Sequence, residues 1–511
     1  MSELTSNKTI AKNTIFLYFR SFLMMAISLF SSRVILQALG VEDYGLYGAI
    51  GSIVAMFTII NGVLAAGTSR FLTFELGKGD RERLRKTFSA SFTMHCALAV
   101  ILFVLLETIG VWFVNHKLSI PEGREFAANV VFQLSIISCM LSLTQVPYGA
   151  SIIAHEKMDV YAYVGIVEVV FKLALIAVLL YVPFGDNLIA YAVILTSWSI
   201  GIQIWYRYYC RKRFAECDLM IVTDVNVYKG MLSYSLWDFL GQFCATGNSQ
   251  GLNILLNMFF GVSVNAGRAV AFQVENAITQ FSSNFMTAVT PQITKSYAQN
   301  DISRFLELVT ESARFSFYLL YIVSLPVFLE ADYILSIWLV EVPDTAVYFL
   351  RFIIFYTLFR VSAIPFVKAV HATGNIKYLN LSAGVYSATT FLASIYVCYK
   401  LGAPFWSCFV VQAFNGFILT YFELNSLYRN VKFKRVAVLR DVYLIPWAIV
   451  FLSSILPASY VILQPSSFTR LIVTTALSVV SAITVVYLFG LTSSQRKSIL
   501  NIIRVKVKGV L

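Results

Sequence analysis

Charged residues are scarce in this chain. They make up 13% of its 511 residues, whereas 58% are hydrophobic and the mean hydropathy is +0.74. Because soluble domains carry roughly 25% charged residues, such a chain cannot cover a surface in water. The composition therefore excludes an ordinary soluble protein. It predicts an all-α integral membrane protein whose structural unit is an apolar helix of roughly 20 residues.

Residues that carry catalytic chemistry are also few. The four histidines and seven cysteines are scattered, and most cysteines fall inside apolar segments, where a thiol behaves as a small hydrophobe. Cys210 and Cys217 share a polar segment, but they lack the spacing and the histidine partners of a zinc site. The sequence has no Walker loop and no polar segment long enough for a catalytic domain. We therefore expect no catalytic residue, metal site or cofactor.

The chain consists instead of a nearly uninterrupted series of apolar segments, separated by charged residues, glycine or proline. This series predicts about 14 transmembrane helices. They lie at 15–39, 44–66, 88–114, 126–153, 161–182, 188–209, 231–259, 265–290, 312–337, 346–370, 378–400, 404–427, 442–463 and 470–491. The first segment is too long for a signal-peptide core and lacks a cleavage site, so we expect it to remain as helix one.

Lysine and arginine are distributed unevenly between the two ends of these helices. With the N-terminus inside, the cytoplasmic segments carry about 29 basic residues and the outer loops about five. The outer five are Lys117, Arg124, Arg268, Lys400 and Arg470. Because basic residues near helix ends stay in the cytoplasm, both termini are predicted to be cytoplasmic. This rule also explains the basic runs at 78–86 and 429–440, so we expect no nucleic-acid partner.

The two halves of the sequence resemble each other weakly. A shift of about 221 residues aligns 39–41 with 260–262 and Asp80 with Asp301, in one register over about sixty residues. We predict a six-helix lobe at 1–209, a cytoplasmic linker at 210–230, a six-helix lobe at 231–427, and two accessory helices with a basic tail at 428–511. Since six helices preserve direction through the membrane, the repeat is parallel, and such lobes can rock around a central cavity.

A polar stripe follows the predicted helix 231–259. At 100° per residue, its polar side chains fall within an arc of about 120° that includes Asp238. The candidate cavity-lining residues of this stripe are Gln242, Gln250, Asn253 and Asn257, and the next helix adds Gln280. Hydrogen bonds between helices explain two or three such residues. A stripe along the whole helix favours the wall of a water-filled pathway.

Charged side chains inside the predicted helices form a second group of candidates, because a charge in the bilayer usually faces a cavity or a partner. The candidate cargo-binding cations are Arg20, Arg33, Lys172 and Arg360, and the candidate ion-coupling carboxylates are Asp238, Glu275 and Glu168. Lys172 and Glu168 are one helical turn apart, so an internal ion pair stays open. Arg33 can also snorkel to the outer surface. Several cations in one cavity predict an anionic cargo such as a phosphate-bearing lipid.

Two stretches carry a family resemblance: RVILQALGVEDYGLYGAIGSI, with its LGVEDYG turn at 39–45, and FELGKGDRERLRKTFSAS. The chain resembles polysaccharide flippases of the multidrug/oligosaccharidyl-lipid/polysaccharide exporter superfamily, the O-antigen (Wzx-type) translocases. This resemblance implies two six-helix lobes around a V-shaped cavity and two extra C-terminal helices. It also implies flipping of undecaprenyl-diphosphate-linked oligosaccharide to the periplasmic leaflet of a bacterial inner membrane.

The resemblance further implies membrane lipid and polysaccharide polymerase or assembly proteins as partners. Two other functions stay open. A cation-coupled multidrug antiporter of the same superfamily would use Asp238, Glu275 or Glu168 as ion sites, although Arg20 and Arg33 stand in helix one, where related multidrug exporters use an acidic residue. A membrane polysaccharide polymerase or ligase is opposed by the outer loops, the longest of which has only about ten residues.

Overall fold

Helices form almost all the regular structure in the computed structural model of the chain. The structure describes residues 58–116, 120, 122–182, 185–339, 342–493 and 495–496, and isolated positions between 14 and 51. No strand occurs in this part of the chain, which confirms the all-α class. The helices are α1 (Thr58–Lys78), α2 (Arg81–Leu105), α3 (Val111–His116), α4 (Glu125–Ala154), α5 (Met158–Tyr181), α6 (Asn187–Arg213), α7 (Val225–Ala298), α8 (Ile302–Leu329), α9 (Ala331–Trp338), α10 (Ala346–Val361), α11 (Ile364–Thr373), α12 (Lys377–Tyr399), α13 (Ser407–Asn430), α14 (Arg435–Leu439), α15 (Ile445–Leu463) and α16 (Phe468–Val485).

Polar residues at the ends of the apolar segments start and stop several helices. The Asp80 carboxylate accepts a hydrogen bond from the Arg83 amide at 3.0 Å, and Asp186 accepts one from the Leu188 amide at 3.0 Å. Such caps satisfy amide groups that have no partner in the first turn. Gly374, with φ +80°, ends α11 in the left-handed conformation that glycine adopts without strain.

Nine helical segments in the described residues are long and apolar enough to cross a membrane. They are Arg81–His116, Glu125–Ala154, Asn187–Arg213, Ile302–Leu329, Ala346–Thr373, Lys377–Cys398, Ser407–Asn430, Arg435–Leu463 and Phe468–Gly490. Each overlaps one predicted span, with ends that differ by up to about ten residues, and α5 also overlaps the predicted span 161–182. The chain is therefore a multi-pass membrane protein. Most of the predicted helix 15–39 and part of 44–66 lie outside the described residues.

The helix α7 differs from the prediction. The sequence predicts a non-helical break near 260–264, between two spans, but the backbone is helical over the 74 residues from Val225 to Ala298. The predicted break is wrong because the segment FGVSV has neither a proline nor a charge, and its single glycine does not stop a helix.

The axis of α7 nevertheless reverses direction. A Cβ atom on Gly67 would lie 3.2 Å from Ser235 Oγ, and one on Gly77 would lie 3.0 Å from Lys295 Cα, so both ends of α7 pack on α1. The two glycines are separated by roughly 15 Å along α1, whereas a straight helix would place Ser235 and Lys295 roughly 90 Å apart. The bent α7 thus supplies the two antiparallel arms that two spans require.

The first of two compact units consists of Met1–Gln242 and Pro291–Asp301. In its core, the rings of Phe88 on α2 and Tyr148 on α4 pack edge to face, 5.3 Å apart. At one end, the Arg124 guanidinium binds two carboxylates, with Arg124 Nε 2.8 Å from Asp43 and Nη1 2.6 Å from Asp186. Partial burial acts to lower the pKa of Arg124, but the hydrogen bonds to both carboxylates have the larger combined effect. The net result is a pKa above the usual value of arginine.

The second unit consists of Phe243–Thr290 and Ile302–Leu511. Aromatic side chains dominate its core, where the buried Tyr321 donates or accepts a hydrogen bond with Ser453 Oγ at 2.7 Å. Glu330, at the start of α9, is fully buried and binds Arg470 of α16 at 2.7 Å. The Thr474 hydroxyl donates to the same carboxylate at 2.8 Å. The accessory helix α16 is thereby tied to this unit, while the lobe boundaries at 209, 230 and 427 stay a prediction.

Candidate functional site

A cavity of about 470 Å³ lies inside the first unit, among α1, α4, α5 and α6. The side chains that give its wall a polar character are Ser69, Ser138, Ser142, Gln145, Ser199 and Glu168. A carboxylate among hydroxyl and amide groups within apolar helices can hold a proton or a small cation, because such neighbours supply the oxygen ligands that hard cations prefer. The cavity is therefore a candidate ion site.

Glu168, predicted as an ion-coupling residue, is the carboxylate of this cavity and is half-buried. The Lys172 side chain, one turn further along α5, lies outside the described residues, as do all of Arg20 and Arg33. The ion pair between Glu168 and Lys172 and the two predicted cations of helix one therefore stay predictions.

In the second unit, Arg360 of α10 binds Glu423 of α13. Arg360 Nη1 and Nη2 each donate to a different oxygen of the carboxylate at 2.7 Å, and Nη1 also donates to Thr420 Oγ1 at 2.6 Å. The Arg360 side chain is 20% exposed and that of Glu423 is 5% exposed. Three of the five N–H donors of the guanidinium are used in these bonds, so in the described structure two are left for another acceptor.

Glu275, the third predicted ion-coupling residue, lies in the second unit. Its carboxylate accepts a hydrogen bond of 2.6 Å from the Thr357 hydroxyl of α10. Glu275 thus has a defined polar neighbour on a second helix. Glu168, by contrast, belongs to the first unit.

The predicted polar stripe is only partly described. Asp238 is 3% exposed, whereas Gln242, one turn further along α7, is exposed. Gln280 is exposed as well and donates to Asn284 Oδ1 at 3.2 Å. The side chains of Gln250, Asn253 and Asn257 lie outside the described residues. The cavity-lining role of these residues therefore stays a prediction.

The sequence patterns did not indicate two arginines that the structure places within helices. Arg268 is buried and Arg70 is half-buried. Arg268, counted among the outer loops, lies inside α7 at 2% exposure, with its guanidinium 4.6 Å from the Phe272 ring centroid. Arg70, counted as a cytoplasmic charge, lies within α1, 4.7 Å from the Phe71 ring and 5.7 Å from the Tyr234 ring. Spacing gave no signal for either residue, because each stands at the edge of an apolar run. Both positions add positive charge to apolar helices.

The chain is similar to solved transporter structures over 85% of its length. A MATE in the bent conformation matches with a TM-score of 0.70 and 13% identity over 96% of that chain. An outward-facing multidrug resistance MATE family transporter of the MOP superfamily matches with a TM-score of 0.68 and 14% identity over 96% of that chain. At such identities the similarity defines the fold, and it confirms the exporter fold. The chain has the fold of MOP superfamily transporters, so its structural neighbours are transporters and not enzymes.

Two further comparisons concern less typical relatives. A MOP superfamily transporter from Pyrococcus furiosus, whose binding pocket has a reversed polarity that suggests a different function, matches over 85% of this chain and 96% of its own, with 13% identity and a TM-score of 0.65. The uncharacterized membrane protein EpsK of Bacillus subtilis (strain 168) is 18% identical over 325 residues, 62% of this chain. That match spans 63% of EpsK. No family model matches the chain.

Proposed function

We propose that this protein is a lipid-linked oligosaccharide flippase of a bacterial inner membrane. It moves undecaprenyl-diphosphate-linked polysaccharide repeat units from the cytoplasmic to the periplasmic leaflet by alternating access. The transporter fold supports movement of a cargo, but the reversed pocket polarity of the Pyrococcus furiosus transporter, which suggests a different function for that protein, means that the fold alone does not define the cargo. The cargo must therefore be inferred from the charges of this chain.

The observation that carries the proposal is arginine in the apolar helices. Arg20 and Arg33 lie in the sequence of predicted helix one, and the structure adds the buried Arg268 and the Arg360 guanidinium with its two remaining donors. Guanidinium groups bind the oxygens of phosphate in pairs, and the same charge repels a cationic drug. A diphosphate-linked lipid is therefore the cargo that these residues favour.

The proposal is tested in proteoliposomes that contain fluorescent undecaprenyl-diphosphate oligosaccharide. A membrane-impermeant quencher measures how fast the lipid changes leaflet. Wild-type protein should accelerate this exchange, and Arg20→Ala or Arg33→Ala should slow it about tenfold or more, because each change removes a charged hydrogen-bond donor worth about 1.5–3 kcal/mol.

Arg351→Ala is the matched control for this assay. The Arg351 side chain is 39% exposed and binds Asp332 at 2.7 Å near the predicted outer end of α10, so its removal should leave the exchange rate unchanged. A wild-type rate equal to that of protein-free liposomes would refute the flippase proposal.

A multidrug cation antiporter is the second candidate, and the Glu168 cavity is the observation that favours it. In inverted vesicles, whose lumen corresponds to the cell exterior, this function would give accumulation of a cationic dye in the lumen. The accumulation would depend on a proton or sodium gradient. It would be lost in Glu168→Gln, Asp238→Asn or Glu275→Gln. The flippase proposal expects no such dye export from the wild-type protein. If the wild-type protein exports the dye in a gradient-dependent way and one of these three changes abolishes that export, the antiporter function is supported and the flippase proposal is wrong.

A further inference from the structure

A groove of about 390 Å³ runs between α12 and α13 in the second unit. Its lining is mainly apolar and aromatic, and includes Tyr378, Leu381, Val385, Thr389, Ile418 and Phe422. From Tyr378 to Thr389 the groove follows three helical turns, roughly 17 Å. This length is close to half of a hydrocarbon core roughly 30 Å thick, which is the depth of one leaflet.

Basic side chains meet at the Tyr378 end of this groove. The Arg429 guanidinium lies 3.8 Å from the centre of the Tyr378 ring. Arg435 Nη2 donates to Asn425 Oδ1 at 2.9 Å, and Asn425 Nδ2 donates to the Tyr378 hydroxyl at 3.3 Å. The positive charges of Arg429 and Arg435 are thus connected to the groove by direct contacts.

Lys432 completes this basic cluster, which consists of Arg429, Lys432 and Arg435. Its ammonium group lies 4.2 Å from the centre of the Tyr428 ring, and the Arg435 guanidinium lies 3.7 Å from the same ring. Within the described part of the chain, none of the three cations forms an ion pair, since the Glu423 carboxylate binds Arg360. The cluster therefore presents uncompensated positive charge at the groove end.

We propose that the groove and the basic cluster form one binding site for an anionic phospholipid of the cytoplasmic leaflet. One acyl chain lies in the groove, and the headgroup phosphate binds Arg429 and Arg435. The lipid is a resident of the protein and not its transported cargo, so this site is additional to the proposed flippase activity. The predicted orientation, with 429–440 in the cytoplasm, places the basic end at the leaflet where anionic lipids attract basic residues.

Two features favour a phospholipid over other occupants. The positive-inside rule explains basic residues at this end of the helices, but it does not require them to contact the end of a groove. The groove has the depth of one leaflet, which suits a phospholipid acyl chain and is short for a polyprenyl carrier. The length of the apolar groove and the positive charge at its end together indicate an anionic phospholipid.

The site is tested by native mass spectrometry of the purified full-length protein with added phosphatidylglycerol or phosphatidylcholine. The wild-type protein should retain phosphatidylglycerol about 25-fold more than phosphatidylcholine, since each of the two arginines contributes roughly a fivefold preference for anionic lipid. The double change Arg429→Gln with Arg435→Gln should abolish this preference. Val385→Trp should fill the groove, since Val385 is 62% exposed and lines it, and should reduce retention of the lipid about tenfold.

Two variants serve as matched controls. Arg440→Gln removes a nearby cation that binds Asp441 at 2.9 Å, and Leu392→Trp adds the same bulk at a position of α12 that is 64% exposed and outside the groove. Both should retain phosphatidylglycerol as the wild-type protein does. If Val385→Trp does not fold, Ile418→Trp, on the opposite wall, replaces it.

Three outcomes would overturn the proposal: equal retention of the two phospholipids by the wild-type protein, wild-type retention by the arginine double variant, and wild-type retention by the groove variant. Displacement of phosphatidylglycerol by undecaprenyl phosphate would also overturn it, because the groove would then belong to the carrier lipid. Lipid retention is measured without transport. A failure of the lipid-site proposal therefore leaves the flippase proposal intact, and a failure of the flippase proposal leaves the lipid site intact.

Discussion

At the scale of single residues, the ion pair between Arg360 and Glu423 shows how this protein keeps charge among apolar helices. Each carboxylate oxygen accepts a hydrogen bond of 2.7 Å, so both charges have close partners. A buried pair of this kind adds little net stability, since removing two charges from water offsets their attraction. The loss of only one partner leaves an uncompensated charge and is costly.

Single and double substitutions of this pair should therefore differ. Glu423→Ala should lower the free energy of unfolding by about 3–5 kcal/mol. The double change Arg360→Met with Glu423→Met should recover most of that loss. Arg351→Met is the control, because its pair with Asp332 is exposed and should contribute about 1 kcal/mol or less. Thermal unfolding in detergent compares the stability of the wild-type protein and the three variants. A double variant as unstable as Glu423→Ala would contradict this account.

The sequence predicted Arg360 as a notable intramembrane cation but gave no indication of Glu423 as its partner. The two residues are 63 positions apart, and hydropathy reports that both helices exist without reporting which faces meet. Arg268 was misplaced for a related reason: a charge near a presumed helix end is indistinguishable from one inside a longer helix. Partners between helices depend on packing, which no local pattern records.

At the scale of helices, close contact between α10 and α13 depends on a missing side chain. A Cβ atom on Gly416 of α13 would lie 2.8 Å from Tyr356 Cε2 of α10. The hydroxyl group of that tyrosine is 2.9 Å from the Tyr386 hydroxyl of α12. Gly416 thus allows three helices to approach one another beside the Arg360 pair.

Gly416→Ala should lower the free energy of unfolding by about 1–3 kcal/mol, because the added methyl group displaces a packed ring. This loss should exceed the gain of about 1 kcal/mol that alanine brings to a helix interior. Gly201→Ala in α6, where a Cβ atom would meet nothing within 4 Å, should show the gain alone. The unfolding midpoints of the two variants should thus shift in opposite directions, and a stabilised Gly416→Ala would show that the ring moves freely.

Helix ends were predicted well wherever they depend on local sequence. The predicted span 126–153 is Glu125–Ala154, and the predicted span 188–209 begins at Asn187, after the Asp186 cap. The length of an apolar run and its polar boundary are readable residue by residue. The reversal of α7 is not, because no proline or charge marks it in the sequence and it is recognised only from the contacts of both arms with α1.

At the scale of the whole molecule, the orientation in the membrane stays a prediction from charge asymmetry. In a cysteine-free background, Glu122→Cys should react with a membrane-impermeant maleimide on intact cells. Lys157→Cys should react only after permeabilisation. Both positions are exposed and lie at opposite ends of α4. Labelling of Lys157→Cys on intact cells, with protection of Glu122→Cys, would invert the topology.

The succession of apolar helices followed from composition, because hydrocarbon thickness fixes the length of every helix. The exporter fold was implied by the family resemblance. The cargo did not follow in the same way. Arg20 and Arg33 were read as cargo contacts from their sign alone, and transport of an anionic lipid by this fold is left to the leaflet-exchange assay. Charge sign is readable in a sequence, whereas the direction in which a side chain points is not.

The buried contact of Glu330 with Arg470 and Thr474 bears on how such a protein can evolve. The predicted repeat leaves the last two helices outside the duplication, so they look like a later addition. Yet Glu330 is fully buried, and its partners both lie on α16. A gene truncated before α16 would encode a buried carboxylate without its arginine and threonine partners, so once this contact existed, the added helices could no longer be discarded without first replacing Glu330.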